Sequence, residues 1–191
     1  MIDGHKYWSE EITSRMVMCN YKNRRVYTYP NAPQNLYADL CDSAEKYPDN
    51  VAVVTDSGKK YTYREFLECV NKTAQFLHSR EKVRKNDMVA LMLYNTAEFC
   101  IAVYAVAKLG AVVVPINTKC RPKEWKGLLQ KLPVRTALFD ERLEQYREEA
   151  ERDNPGVKFI SVKDDAFAEY YIEDTGEEVY QESFWEDDVI I

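Results

Sequence analysis

Met88-Val89-Ala90-Leu91-Met92-Leu93, then Asn95-Thr96-Ala97-Glu98, then the apolar run Phe99 to Ile116: this stretch decides the fold. The first run is continuous and short, the signature of a strand buried on both faces, as parallel strands are. Asn95-Thr96-Ala97-Glu98 reads as a helix start; Asn95, following a strand, could line the crevice at the strand ends, but the cap is the favoured reading. The apolar helix it opens runs to Leu109, and Gly110 can supply the left-handed stop. Ala111 to Ile116 is the next strand. Phe99 to Ile116 approaches the length of a membrane span, but Lys108 would cost about 2.5–3.5 kcal/mol in mid-span. Gly110 and Pro115 also split the run into a buried helix and a buried strand.

Working towards the N-terminus, Thr62-Tyr63-Arg64-Glu65 is a capping box: the Thr62 hydroxyl accepts from the amide three residues on while Glu65 reaches back. Behind it Tyr63, Phe66, Leu67, Val70, Ala74 and Leu77 recur on one helical face. Val51-Ala52-Val53-Val54-Thr55, the turn Asp56-Ser57-Gly58-Lys59 and Lys60-Tyr61-Thr62 read as a β-hairpin at one edge. Asn35 to Tyr47 is a helix ended by Tyr47-Pro48-Asp49-Asn50. Residues 1–34 form an N-terminal arm without sustained period, with a helix expected over Lys6 to Cys19.

Towards the C-terminus, Pro122 suits the first turn of a short helix carrying Trp125, Leu128 and Leu129. Thr136 to Phe139 is a strand, Leu143, Tyr146 and Ala150 line another helix, and Asn154-Pro155-Gly156 precedes the strand Lys158 to Val162. Strand and helix alternate. The expectation is an α/β fold: a largely parallel sheet with right-handed crossovers, helices on both faces and a hairpin at one edge, in a subdomain spanning 35–163. Residues 164–191 form an acidic connector.

Charge is unevenly spread. The chain carries −6, yet residues 164–188 hold 11 acidic and no basic groups, leaving 26 basic against 21 acidic elsewhere. That thin excess, without a basic cluster interleaved with aromatics, argues against a nucleic-acid interface. The cysteines Cys19, Cys41, Cys69, Cys100 and Cys120 form no C-x-x-C pair, so structural zinc is not expected. Met1 to Arg15 lacks the apolar segment of a secretory leader, and the expected compartment is the cytoplasm. Gly4, Gly58, Gly110, Gly127, Gly156 and Gly176 lie too far apart for a phosphate loop or dinucleotide fingerprint.

The blocks Tyr61-Thr62-Tyr63-Arg64-Glu65-Phe66, Asn86-Asp87-Met88-Val89-Ala90-Leu91, Asn95-Thr96-Ala97-Glu98-Phe99 and Ala107-Lys108-Leu109-Gly110-Ala111-Val112-Val113-Val114-Pro115-Ile116-Asn117-Thr118 resemble, in order, the adenylate-forming enzymes. Within them, Pro115-Ile116-Asn117-Thr118 looks most like the acyl-CoA synthetase branch. The resemblance runs from about Leu36 to Ile191. It implies the N-terminal subdomain of an enzyme that joins a carboxylic acid to ATP with magnesium, giving an acyl-adenylate, then exchanges AMP for CoA. Glu186-Asp187-Asp188-Val189-Ile190-Ile191 looks like the approach to that family's phosphate loop. Loop, acyl pocket and C-terminal domain would then lie outside this sequence. The expectation is an N-terminal fragment, inactive alone and binding none of these cofactors tightly, whose sheet is covered by the rest of the polypeptide or by a partner.

The resemblance also implies a role for Lys119, at the place where related CoA ligases carry a basic residue near the CoA nucleotide phosphate, with Arg121 as a weaker substitute. Both follow a strand end, where ligands of open α/β sheets gather. No residue is offered as catalytic and none as a metal ligand: His5 and His78 lack partners at recognisable spacing, Cys100 sits in an apolar helix and Cys120 lacks a base. The other readings are a free-standing α/β module that binds a ligand or partner, and an unrelated small α/β enzyme, disfavoured by the missing acid–base constellation.

Overall fold

A computed structural model describes residues 8–21, 24–30 and 35–163. A short helical turn α1 (Glu10–Thr13) leads into strands β1 (Val17–Tyr21) and β2 (Arg24–Thr28), an antiparallel pair. The helix expected over Lys6 to Cys19 is therefore corrected: among the described residues of that span only α1 is helical, and Cys19 lies mid-strand. β-Branched and aromatic residues, Val17, Tyr21, Val26, Tyr27 and Thr28, favour extended backbone there. Lys6 itself and the acidic connector 164–191 lie outside the described residues.

Helix α2 (Leu36–Lys46) starts on an Asn35 side chain that accepts from the Ala38 amide at 2.8 Å. The hairpin β3 (Val51–Val54) and β4 (Lys60–Thr62) follows, and it forms its own two-stranded sheet, with no ladder to the parallel strands. The capping box is present. Thr62 Oγ1 accepts from the Glu65 amide at 3.2 Å, and Glu65 Oε2 accepts from the Thr62 amide at 2.8 Å, opening helix α3 (Tyr63–Ser79).

Strands β5 (Met88–Met92), β6 (Val112–Pro115), β7 (Val134–Asp140) and β8 (Lys158–Val162) make one parallel sheet in the order β6-β5-β7-β8. Their crossovers are helix α4 (Ala97–Lys108), helix α5 (Pro122–Leu129), and a 3-10 turn over Glu141–Tyr146 continuing into helix α6 (Arg147–Asp153). Where one helix was expected around Leu143, the backbone winds tightly first and becomes α-helical only at Arg147.

Period-two alternation sorts the central strand between two cores. Val89 and Leu91 face the core shared with α2, α3 and α4, whereas Ala90 and Met92 face the core of α5 and α6. All four are fully buried. The second core is built on Trp125, edge-on to Phe139 and to Tyr146 at 5.8 Å between ring centres in each case, with Phe159 edge-on to Phe139 at 5.5 Å. Gly110 ends α4 at φ +65°, its amide bonding the Ala107 carbonyl and that of Ala111 reaching Val106, a double closure that needs the left-handed residue. No helix among the described residues is long and apolar enough to cross a membrane.

Candidate functional site

Parallel strands send all their C-terminal ends to one rim, and there the chain leaves the ladder for the loops that carry Tyr94, Asn95, Asn117, Lys119 and Arg142. β7 ends on Asp140, whose carboxylate is buried. It accepts from Arg142 Nε at 2.7 Å, Arg142 Nη2 at 2.8 Å, the Arg142 amide at 3.0 Å and, across from β5, the Tyr94 amide at 3.3 Å. The Arg142 guanidinium lies 4.3 Å from the centre of the Tyr94 ring. Burial pushes the Asp140 carboxyl up, but the bonds from Arg142 and the two amides outweigh it, holding the group below the ordinary carboxylate range. Arg142 is thus a cation held in place.

It faces a cavity of about 400 Å3, at the lower end of small-molecule sites. Val53 to Ser57, from the end of β3 and its turn, form one wall; Asn95 to Cys100, the start of α4, form the other. The cap at that start is Thr96, which makes no side-chain capping bond, so the Asn95 capping role is corrected: Asn95 is exposed and lines the cavity. Thr55 and Ser57 hydroxyls bond each other at 2.8 Å. Asp56 and Glu98 bring carboxylates to the same walls.

Such a set can bind a polar ligand. Cys100 is not poised as a nucleophile: burial, then the nearby Glu98 charge, push its thiol up and keep it protonated at neutral pH. No group of acidic, His or Cys side chains able to hold a metal occurs among the described residues.

Lys119 and Arg121 leave the same rim from β6, next to β5 in the sheet, but neither lines the cavity. Both are exposed. The Asn117 side chain accepts from the Lys119 amide at 2.9 Å, turning the loop, and the Arg121 amide is capped by Glu124 at 2.9 Å. The Arg121 guanidinium lies 5.4 Å from the centre of the Tyr146 ring. Sequence reasoning missed the Asp140, Arg142 and Tyr94 unit. Its one local signal was an acidic residue closing a buried strand with an arginine two positions on.

Residues 40–190 match the family model described as AMP-binding enzyme. A crotonobetaine/carnitine–CoA ligase of Salmonella paratyphi A is 37% identical over 105 residues, covering 53% of this chain and 20% of that ligase. The fatty acyl CoA synthetase of Mycobacterium tuberculosis superposes with a TM-score of 0.68 at 28% identity, over 81% of this chain and 31% of that one. The O-succinylbenzoate coenzyme A synthetase of Bacillus subtilis, solved with ATP and a magnesium ion, superposes at 0.63 and 26% identity, over 77% of this chain and 36% of that one. The chain spans about a fifth of the length of the curated relatives it matches, 20% and 24% in two ligases.

Proposed function

The chain belongs to the AMP-binding enzyme family, and on that premise we propose that it is the N-terminal scaffold of an ATP-dependent acid–CoA ligase. In the proposed reaction a carboxylate oxygen attacks the α-phosphorus of ATP, pyrophosphate leaves, and the CoA sulfur then attacks the acyl carbonyl with AMP as leaving group. Magnesium and amide donors are needed because the first step brings anions together. The observation that carries this reading is the family match across residues 40–190, supported by likeness to CoA ligases in both sequence and structure.

In this role the parallel sheet is the support, and its outer strands β6 and β8 each have one edge not laddered to another described strand, for the rest of the polypeptide or a partner to cover. Lys119, with Arg121 behind it, meets a CoA phosphate on the rim. The acid is a carboxylic acid of the fatty-acid kind or a relative of it. Five free thiols fit a reducing cytoplasm. The 191 residues hold no glycine-rich phosphate loop, and we assign them no adenylation on their own.

The test is acyl-CoA formation by the complete polypeptide that carries this chain, with ATP, magnesium, CoA and a panel of carboxylic acids. Release of AMP, pyrophosphate and an acyl-CoA is expected; failure with every acid removes the reading. In that enzyme Lys119→Glu should raise the KM for CoA about tenfold, on the scale of one lost charge contact, and leave acyl-adenylate formation unchanged. An unchanged KM removes Lys119. The cavity beside Arg142 favours a second reading, a ligand-binding module. Calorimetry of the 191-residue chain with nucleotides and CoA separates the two, since a module binds alone.

A further inference from the structure

We propose that the β1–β2 hairpin is a docking surface for the acidic segment 164–191 of the same chain. Two-stranded hairpins are marginal in water unless a face is covered. In this one neither face is: no described side chain of the hairpin is buried, and Val17, Met18, Val26 and Tyr27 are all exposed, Tyr27 at 65%. Met18 and Tyr27 stand opposite each other in the register. Neither outer edge of the pair is laddered to another described strand. Exposed apolar side chains beside open strand edges mark an interaction site.

Charge identifies the occupant. From Ile12 to Ala38 the chain carries Arg15, Lys22, Arg24 and Arg25 and no acidic residue, whereas 164–191 carries 11 acidic residues and no basic one. The segment also interleaves apolar side chains, among them Phe167, Tyr171, Ile172, Val179, Phe184 and Trp185, with its carboxylates. It offers acid to the basic strands and apolar surface to Met18 and Tyr27. A second copy is the poorer fit, because pairing two basic hairpins sets like charges against each other. Reach is no obstacle: the segment's 28 residues extend to about 90 Å, against a radius of gyration of about 16 Å for a globule of this length.

The test is hydrogen–deuterium exchange at the β1 and β2 amides of the full chain at low salt. The hairpin variant is Arg15→Glu with Arg25→Glu, the segment variant is Glu173→Lys with Glu177→Lys and Glu178→Lys, and a third chain carries all five changes. Each set alone should speed hairpin exchange about tenfold while the β5 and β7 amides stay unchanged, and the combined chain should return to within about threefold of the original, as expected for a local opening governed by paired charges. Three results overturn the proposal: hairpin amides already unprotected in the unaltered chain, acceleration that the combined chain does not restore, or protection that rises with protein concentration, which assigns the surface to a second copy.

Discussion

β5 and β1 are strands of five residues each, and they stand at opposite ends of this molecule's energetics. Four of the five in β5 are buried between two layers of helices, and none in β1 is buried among those described. The contrast separates two uses of extended backbone. β5 holds the fold together, and its C-terminal end delivers Tyr94 and Asn95 to the candidate site, whereas β1 shows its apolar side chains to whatever comes next. Buried and exposed extended backbone lie in different residues, so substitutions can test the two apart.

The largest effect should come from the body. Trp125→Ala removes a fully buried indole wedged against Phe139 and Tyr146, and should cost about 3–5 kcal/mol by chemical denaturation. A loss under about 1 kcal/mol would mean that the α5 side of the sheet is not the packed core described.

Next comes the rim. Arg142→Ala strips the guanidinium from the buried Asp140 carboxylate, and should cost about 1–3 kcal/mol. The Asp140 carboxyl is depressed in the folded chain, so its contribution is complete above the unfolded value of about 3.9 and is lost as pH falls through the lower folded value. The original chain should therefore be more stable than Asp140→Asn at neutral pH, with the gap closing below about pH 4. A gap that widens on acidification would reverse the sign of the assignment.

Thr62→Ala breaks the capping box of α3 and should cost about 1 kcal/mol. Glu65, whose carboxyl is lowered chiefly by the Thr62 amide and hydroxyl, should titrate higher in that variant. An unmoved Glu65 would show that the box does not form in solution.

The smallest effect belongs to the hairpin. Met18→Ala should change global stability by less than about 0.5 kcal/mol, because the side chain belongs to neither buried core and the hairpin opens locally. A larger loss would place β1 inside the cooperative core and erase the contrast with β5.

What could be read from the residues alone follows the same division. Met88 to Leu93, the Thr62 to Glu65 box and the Gly110 stop each encode their outcome locally, in an apolar run, a hydroxyl–carboxylate spacing and a residue free to take positive φ. The arm misled because its short extended runs show no sustained period, and the ladder joining Val17 to Thr28 is visible only once the chain turns back. At the site, Lys119 and Arg121 were legible as strand-end residues. Asp140, Arg142 and Tyr94 were not, because the bond from Tyr94 to Asp140 spans 46 positions and depends on β5 lying beside β7. Asn95 offered both a cap and a crevice position, and the plausible cap spacing favoured the wrong one: the backbone turn at Tyr94 to Thr96 leaves it on the cavity wall.

The central proposal is that these 191 residues serve as the scaffold of an acid–CoA ligase and carry out no adenylation on their own. Carboxylate-dependent pyrophosphate release, measured on the purified, folded 191-residue chain with ATP, magnesium and a panel of carboxylic acids, tests it most directly. No release above the acid-free background is expected with any of them. Sustained turnover with a single acid would contradict it.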